Sequence, residues 1–178
     1  MIDSVIWKEK LEQDLYSIKK RLAQRRWSYR SMVLFERELT LVFFSIRSLI
    51  DAGKLTDTIA QKEFECYTYP NLGKVVDDYS RYWPTENFDF SAGIAKKLTL
   101  RFLTNQFIHA YVIQPKFSEN GSVTGVLLCS DHEKQSMLIE IATTSAISII
   151  QSVVDDEIKS IHLTRDNKTN ELRKTKIL

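Results

Sequence analysis

Near residue 110 the hydrophobic period of this chain changes, and few architectures accommodate the change. Upstream, large apolar residues recur in three- and four-residue steps: Leu11, Leu15, Ile18 and Leu22, then Met32, Phe35, Leu39, Val42, Phe43, Ile46, Leu49 and Ile50. That is the spacing of helices with one buried face. Downstream, 110–117 and 123–130 are rich in β-formers and flank Ser118-Glu119-Asn120-Gly121. Asn-Gly tolerates the positive φ angles that a tight hairpin turn needs. The pattern predicts an α+β fold: a helical core over the first two thirds, then antiparallel β-hairpins and a packed helix.

In detail, the spacing predicts a surface helix over 6–26 and a central helix over 28–52, ended by Gly53 in a C-cap position. Glu36, Thr40 and Arg47 draw a thin polar line along the second helix, read either as ion pairs on a partly exposed edge or as part of a site. Residues 54–90 are richer in Tyr, Pro, Asn and Asp, with Tyr69-Pro70-Asn71 and Trp83-Pro84-Thr85 as punctuation. They predict an irregular insertion or lid with a short helix near 72–82, pinned to the core by its aromatics. Ser91 is placed to cap a helix over 92–109. A third strand over 137–141, a helix over 143–155 and, from 159–165 and 171–177, either a second hairpin or a frayed extension complete the reading.

A chain of 178 residues, 43% hydrophobic and 27% charged, is expected to fold as one domain spanning 1–178. Its net charge of +2 is far from the excess of a typical nucleic-acid module. The densest basic cluster, Lys19-Lys20-Arg21 with Arg25-Arg26, reads as a solvated helix face. Cys66 and Cys129 lack ligand or disulfide spacing, which fits a reducing cytoplasm. The charged start MIDSVIWKEKLEQD reads as a helix rather than a secretion signal, and the apolar run 39–50 is too short and too polar to span a bilayer, so no membrane association is expected. No phosphate-cradling or dinucleotide-binding glycine motif occurs, nor a Gly-x-Ser-x-Gly elbow. Asp131-His132-Glu133 are adjacent residues on a turn and point apart, so neither a metal site nor a cofactor is expected.

One segment concentrates chemistry. In 98–113, LTLRFLTNQFIHAYVI, the polar residues Arg101, Asn105 and His109 recur every fourth position among apolar neighbours. On a helix each four-residue step overshoots a full turn by about 40°, so the three share one stripe. His109, where helix gives way to strand, suits a general acid or a phosphate-binding cation, because a helix C-terminus favours the imidazolium. Asn105 is placed to orient it or to hold a phosphate oxygen. Arg101 lies about 12 Å away along the helix axis, so it meets His109 by reaching across or through a second copy.

The long helix FERELTLVFFSIRSLIDAGKL, with the later Asn105-Gln106-Phe107-Ile108-His109, resembles the HEPN superfamily of helical nucleotide-binding domains over residues 28–115. Many members are metal-independent ribonucleases that pair an Arg, a polar residue such as Asn, and a His across a homodimer. The resemblance carries Asn105 and His109 onto that motif. Arg101 stands eight positions before His109 rather than four to six, and is a candidate phosphate binder on its own reading. The resemblance implies a cytoplasmic protein of a bacterial stress or antiviral system that binds or cleaves RNA as a homodimer; with Arg101 added from the stripe itself, the expected catalytic set is Arg101, Asn105 and His109. The alternative is a non-catalytic accessory or regulatory subunit in which the stripe is an internally satisfied network and the hairpins recruit a partner protein.

Overall fold

The computed structural model describes residues 4–178; residues 1–3, the head of the charged N-terminal stretch, lie outside the described residues. Helices α1 (Val5–Leu22) and α2 (Tyr29–Asp51) form where the apolar steps place them. Leu11, Leu15 and Ile18 are the buried residues of α1. Phe35, Leu39, Val42, Phe43, Ile46, Leu49 and Ile50 are those of α2. The Ser28 hydroxyl accepts from the Ser31 N–H, and the Ser31 hydroxyl accepts from the Ser28 N–H. This reciprocal pair satisfies donors that the first turn of α2 leaves open. Gly53, at φ 59°, turns the chain away after the helix.

The expected irregular insertion is corrected by a strand. After a single turn, α3 (Asp57–Ala60), residues Glu63–Pro70 form β1, with Phe64, Cys66 and Thr68 buried and Glu63, Glu65 and Tyr67 exposed. A 3-10 turn, Ser80–Tyr82, stands where a short helix was expected. The one-turn α4 (Pro84–Asn87) follows. The expected helix over 92–109 is two elements, strand β2 (Ile94–Thr99) and helix α5 (Leu100–Ile108). The cap of α5 is Thr99, whose hydroxyl accepts from the Phe102 N–H at 3.2 Å, while Ser91 instead donates to Asp89. Lys96 and Lys97 face Cys66 and Glu65 across the ladder, and pairing with β1 outweighs the helical propensity of Ala-Lys-Lys-Leu. The first two thirds of the chain are therefore mixed rather than helical.

The last third follows its sequence closely. Strands β3 (Ala110–Phe117) and β4 (Val123–Ser130) make the Asn120-Gly121 hairpin, with Gly121 at φ 79°. Strand β5 (Met137–Ala142) and helix α6 (Thr143–Val154) come next. Strands β6 (Ile161–Arg165) and β7 (Leu172–Ile177) then form a separate two-stranded ribbon. The main sheet is antiparallel throughout, in the order β2-β1-β5-β4-β3.

Alternation along the strands gives the sheet two buried faces. Phe64, Leu98, Val126, Leu128, Ile139 and Ile141 meet α1, α2, α5 and α6 in the larger cluster. Tyr69, Val112, Leu127, Cys129 and Leu138 point the other way and are covered by Val76 and Phe88 from the segment between β1 and β2. That segment closes this second core face. Burial pushes both thiols, Cys66 and Cys129, up to about 12, so they behave as small apolar side chains. Among the described residues, no helix is long and apolar enough to cross a membrane.

Candidate functional site

Helix α5 is laid against α2 by Phe107, whose ring stacks on Phe43 at 3.8 Å between centroids and 12° between planes. Leu100, Leu103 and Phe107 are buried, which turns the expected stripe sideways, toward the C-terminal half of α2. There Arg47 donates from Nη1 to Asn105 Oδ1. Its Nε donates to Asp51 Oδ2 at 2.7 Å, and Arg101 Nη1 donates to Asp51 Oδ1 at 3.0 Å. The four groups form one chain, Arg101 to Asp51 to Arg47 to Asn105. Burial works against the Asp51 carboxylate, but hydrogen bonds and charge from Arg47, then Arg101, outweigh it and hold the group below the usual carboxylate range.

His109 is the C-cap of α5, its N–H directed to the Asn105 and Phe107 carbonyls. Its own carbonyl accepts from the Asp131 N–H at 3.0 Å. One turn earlier, the Gln106 side chain, 3% exposed, accepts from the Ser130 N–H at 2.9 Å. These two bonds tie the end of α5 to the end of β4 and the turn that follows. Within that turn Ser130 Oγ accepts from the Glu133 N–H, Lys134 pairs with Asp131 at 2.7 Å, and His132 Nδ1 lies 3.0 Å from Glu133.

Between α2, α5 and this turn opens a cleft of about 560 Å³. Arg47, Asn105 and Gln106 line it from the helices, His109 stands at its end, and His132 with Glu133 line it from the turn. The structure thus brings together Asn105 and His109 of the expected set. Arg101 is half exposed, does not line the cleft, and reaches it only through Asp51. The imidazole of His109 is exposed and has no hydrogen-bond partner among the described residues. No group of three His, Cys, Asp or Glu among the described residues could hold a metal ion.

Two lining residues were not joined to the expected set from sequence. Arg47 was visible as a cation inside an apolar helix, on a polar line with Glu36 and Thr40. The structure divides that line: Thr40 donates to the Glu36 carbonyl, Glu36 lines a different groove, and Arg47 turns to α5. His132 was weighed only for metal binding within Asp131-His132-Glu133, because its place in the cleft depends on how the turn docks against α5. The basic cluster at the end of α1 and just beyond it is solvated at Lys19, Lys20, Arg25 and Arg26, whereas Arg21 makes two bonds to Glu38 at 2.9 and 2.6 Å.

The Asp51 bridge makes a pH-dependent contribution of known sign. A lowered carboxylate pKa gives stability that is complete above the ordinary value, about 3.9, and is lost as pH falls through the folded value. Denaturation midpoints of the wild type and Asp51→Asn, followed from pH 7 to pH 2, are expected to converge below pH about 4. The gap at neutral pH is expected within about 1 kcal/mol, because the bridge is half exposed and solvent-screened. A gap constant over the whole range would remove Asp51 as its source.

Comparison of the chain with protein-family models, with curated proteins and with solved structures gave no match.

Proposed function

We propose that the chain binds and cleaves RNA in the cleft between α2, α5 and the β4–β5 turn. The observation that carries this reading is the convergence of two exposed imidazoles, His109 and His132, on a cleft whose helical wall holds the Arg47–Asn105 pair. RNA brings its own nucleophile. One imidazole, neutral, takes the proton of a 2′-hydroxyl; the 2′-oxygen attacks the adjacent phosphorus and the bond to the 5′-oxygen breaks. The second imidazole, protonated, gives its proton to the departing 5′-oxygen. Arg47 and Asn105 contribute donors to the phosphate, whose charge is best stabilised by groups already held in place.

Helices α2 and α5 are also those on which the HEPN resemblance rests, so the proposal extends to a HEPN-like role in bacterial stress or antiviral defence, with a homodimer as the working form. One observation favours the second reading, a non-catalytic accessory subunit: Arg101, Asp51, Arg47 and Asn105 satisfy one another without a ligand.

The deciding experiment is incubation of purified protein with single-stranded RNA in EDTA. Cleavage leaving 2′,3′-cyclic phosphate ends is expected, with a bell-shaped pH profile because one imidazole must be neutral and the other charged. His109→Ala is expected to slow it by about 10²- to 10⁴-fold. No cleavage by the wild type, or full activity in the His109→Ala/His132→Ala double variant, overturns the catalytic reading in favour of the accessory one.

A further inference from the structure

The charge of this chain is unevenly placed. Residues 159–178 hold six lysines and arginines against two acids, a net of +4, which leaves the rest of the chain at −2. This segment is the β6–β7 ribbon, a sheet of its own. An isolated two-stranded ribbon is marginal in water, and this one is fastened at one side. Lys174 Nζ donates to the Ala52 and Gly53 carbonyls at 3.1 and 3.0 Å, capping the end of α2, and the Ile177 N–H donates to Asp57 at 3.0 Å.

Register divides the ribbon into two faces. Ile161, Leu163 and Arg165 share one face with their partners Ile177, Lys174 and Leu172, and this face carries the fastening. The other face presents two cross-strand pairs, His162 with Lys176 and Thr164 with Arg173. All four are exposed, and no carboxylate stands among them. Lys168 adds a further exposed cation at the turn. Lys168 and Lys176 have no ion-pair partner among the described residues, and Arg173 has only loose ones, Glu171 at 3.6 Å and Asp166 at 3.7 Å. Such a face is built of donors and suits a polyanion. Its one ring is the small His162 imidazole and it carries no Phe, Tyr or Trp, so its contacts are chiefly to backbone phosphates, which carry no sequence information. The ribbon is fastened at Ala52, next to Asp51, which holds both Arg47 and Arg101.

We infer that the β6–β7 ribbon is a phosphate-binding arm that holds the RNA backbone beside the cleft. The ligand class rests on the RNA reading above, and the test separates the two. Fluorescence anisotropy with a labelled single-stranded 2′-O-methyl RNA, which cannot be cut at the 2′ position, reports binding without cleavage. Lys168→Ser/Arg173→Ser/Lys176→Ser is compared with Lys19→Ser/Lys20→Ser/Arg25→Ser, which removes the same charge from exposed positions at the end of α1 and just beyond it. The ribbon variant is expected to bind about 100-fold more weakly near 0.1 M salt, with the slope of log K against log salt flatter by about 2. The α1 variant is expected to stay within about threefold, and a circular dichroism melt checks that both variants fold.

Equal weakening of the two variants, an unchanged ribbon variant, or no RNA binding by the wild type overturns the inference. Tighter binding to phosphatidylserine vesicles or to duplex DNA than to RNA overturns it as well. If His109-dependent cleavage persists while the ribbon variant binds normally, the arm alone has failed. If the ribbon variant alone loses binding while cleavage ignores both histidines, the cleft alone has failed.

Discussion

Replacing Arg47 by alanine is expected to reduce RNA cleavage by about 10²-fold or more, the usual effect of removing one preorganised donor from a phosphate-binding site. Arg101→Ala is expected to stay within a few-fold of the wild type. The difference follows from geometry: Arg47 lines the cleft and holds Asn105, whereas Arg101 is half exposed and touches the network only at Asp51. Loss of Arg47 also frees the Asn105 side chain, so both donors are affected by one change. Stability is expected to move little in either variant, because these pairs are partly or largely exposed. Steady-state cleavage rates with a urea midpoint for each variant make the check. The opposite ranking, with Arg101→Ala the more damaging, would return the phosphate to the outer side of the stripe and remove Arg47 from the mechanism.

Phe107→Ala is expected to destabilise the fold by about 3–5 kcal/mol, the range for deleting a buried aromatic side chain. Phe107 is 1% exposed and stacked on Phe43, itself fully buried, so little can move in to fill the space. Against a typical total of about 5–15 kcal/mol, that is a large fraction. Phe107→Leu is expected to recover more than half of the loss by refilling most of the volume. Equilibrium urea denaturation measures both. A loss below about 1 kcal/mol in Phe107→Ala would mean that this contact does not fix α5 on α2. The same residue matters to the site, since Asn105 and His109 lie two positions to either side of it.

What could be read from sequence and what could not divide along a physical line. Helices α1, α2 and α6 and the β3–β4 hairpin are written in local patterns, and a short window contains their whole signal. Strand β2 is not: Ile-Ala-Lys-Lys-Leu-Thr suits a helix locally, and only pairing with β1 makes it extended. Strand β1 did carry a signal, the alternation of Phe64, Cys66 and Thr68 with exposed neighbours, masked by the Tyr, Pro and Asn that follow. The site divides in the same way. Asn105 and His109 were found because they share one helix. Arg47 reaches Asn105 from 58 residues away, and His132 arrives on a turn docked by backbone bonds to α5, so no local spacing encodes either one.

The bridge of Arg101, Asp51 and Arg47 is closed in hydrogen bonds but not in charge. Two cations share one carboxylate, so the trio keeps a surplus of one positive charge on the α2–α5 side of the cleft. On the turn side, Asp131 is matched by Lys134, and the Glu133 carboxylate stands beside His132. A field therefore points across the opening, steepest within the screening length of about 8 Å at physiological salt. A network held together without a ligand can still draw an anion toward the helical wall, and salt rather than mutation is the gentlest way to weaken that pull.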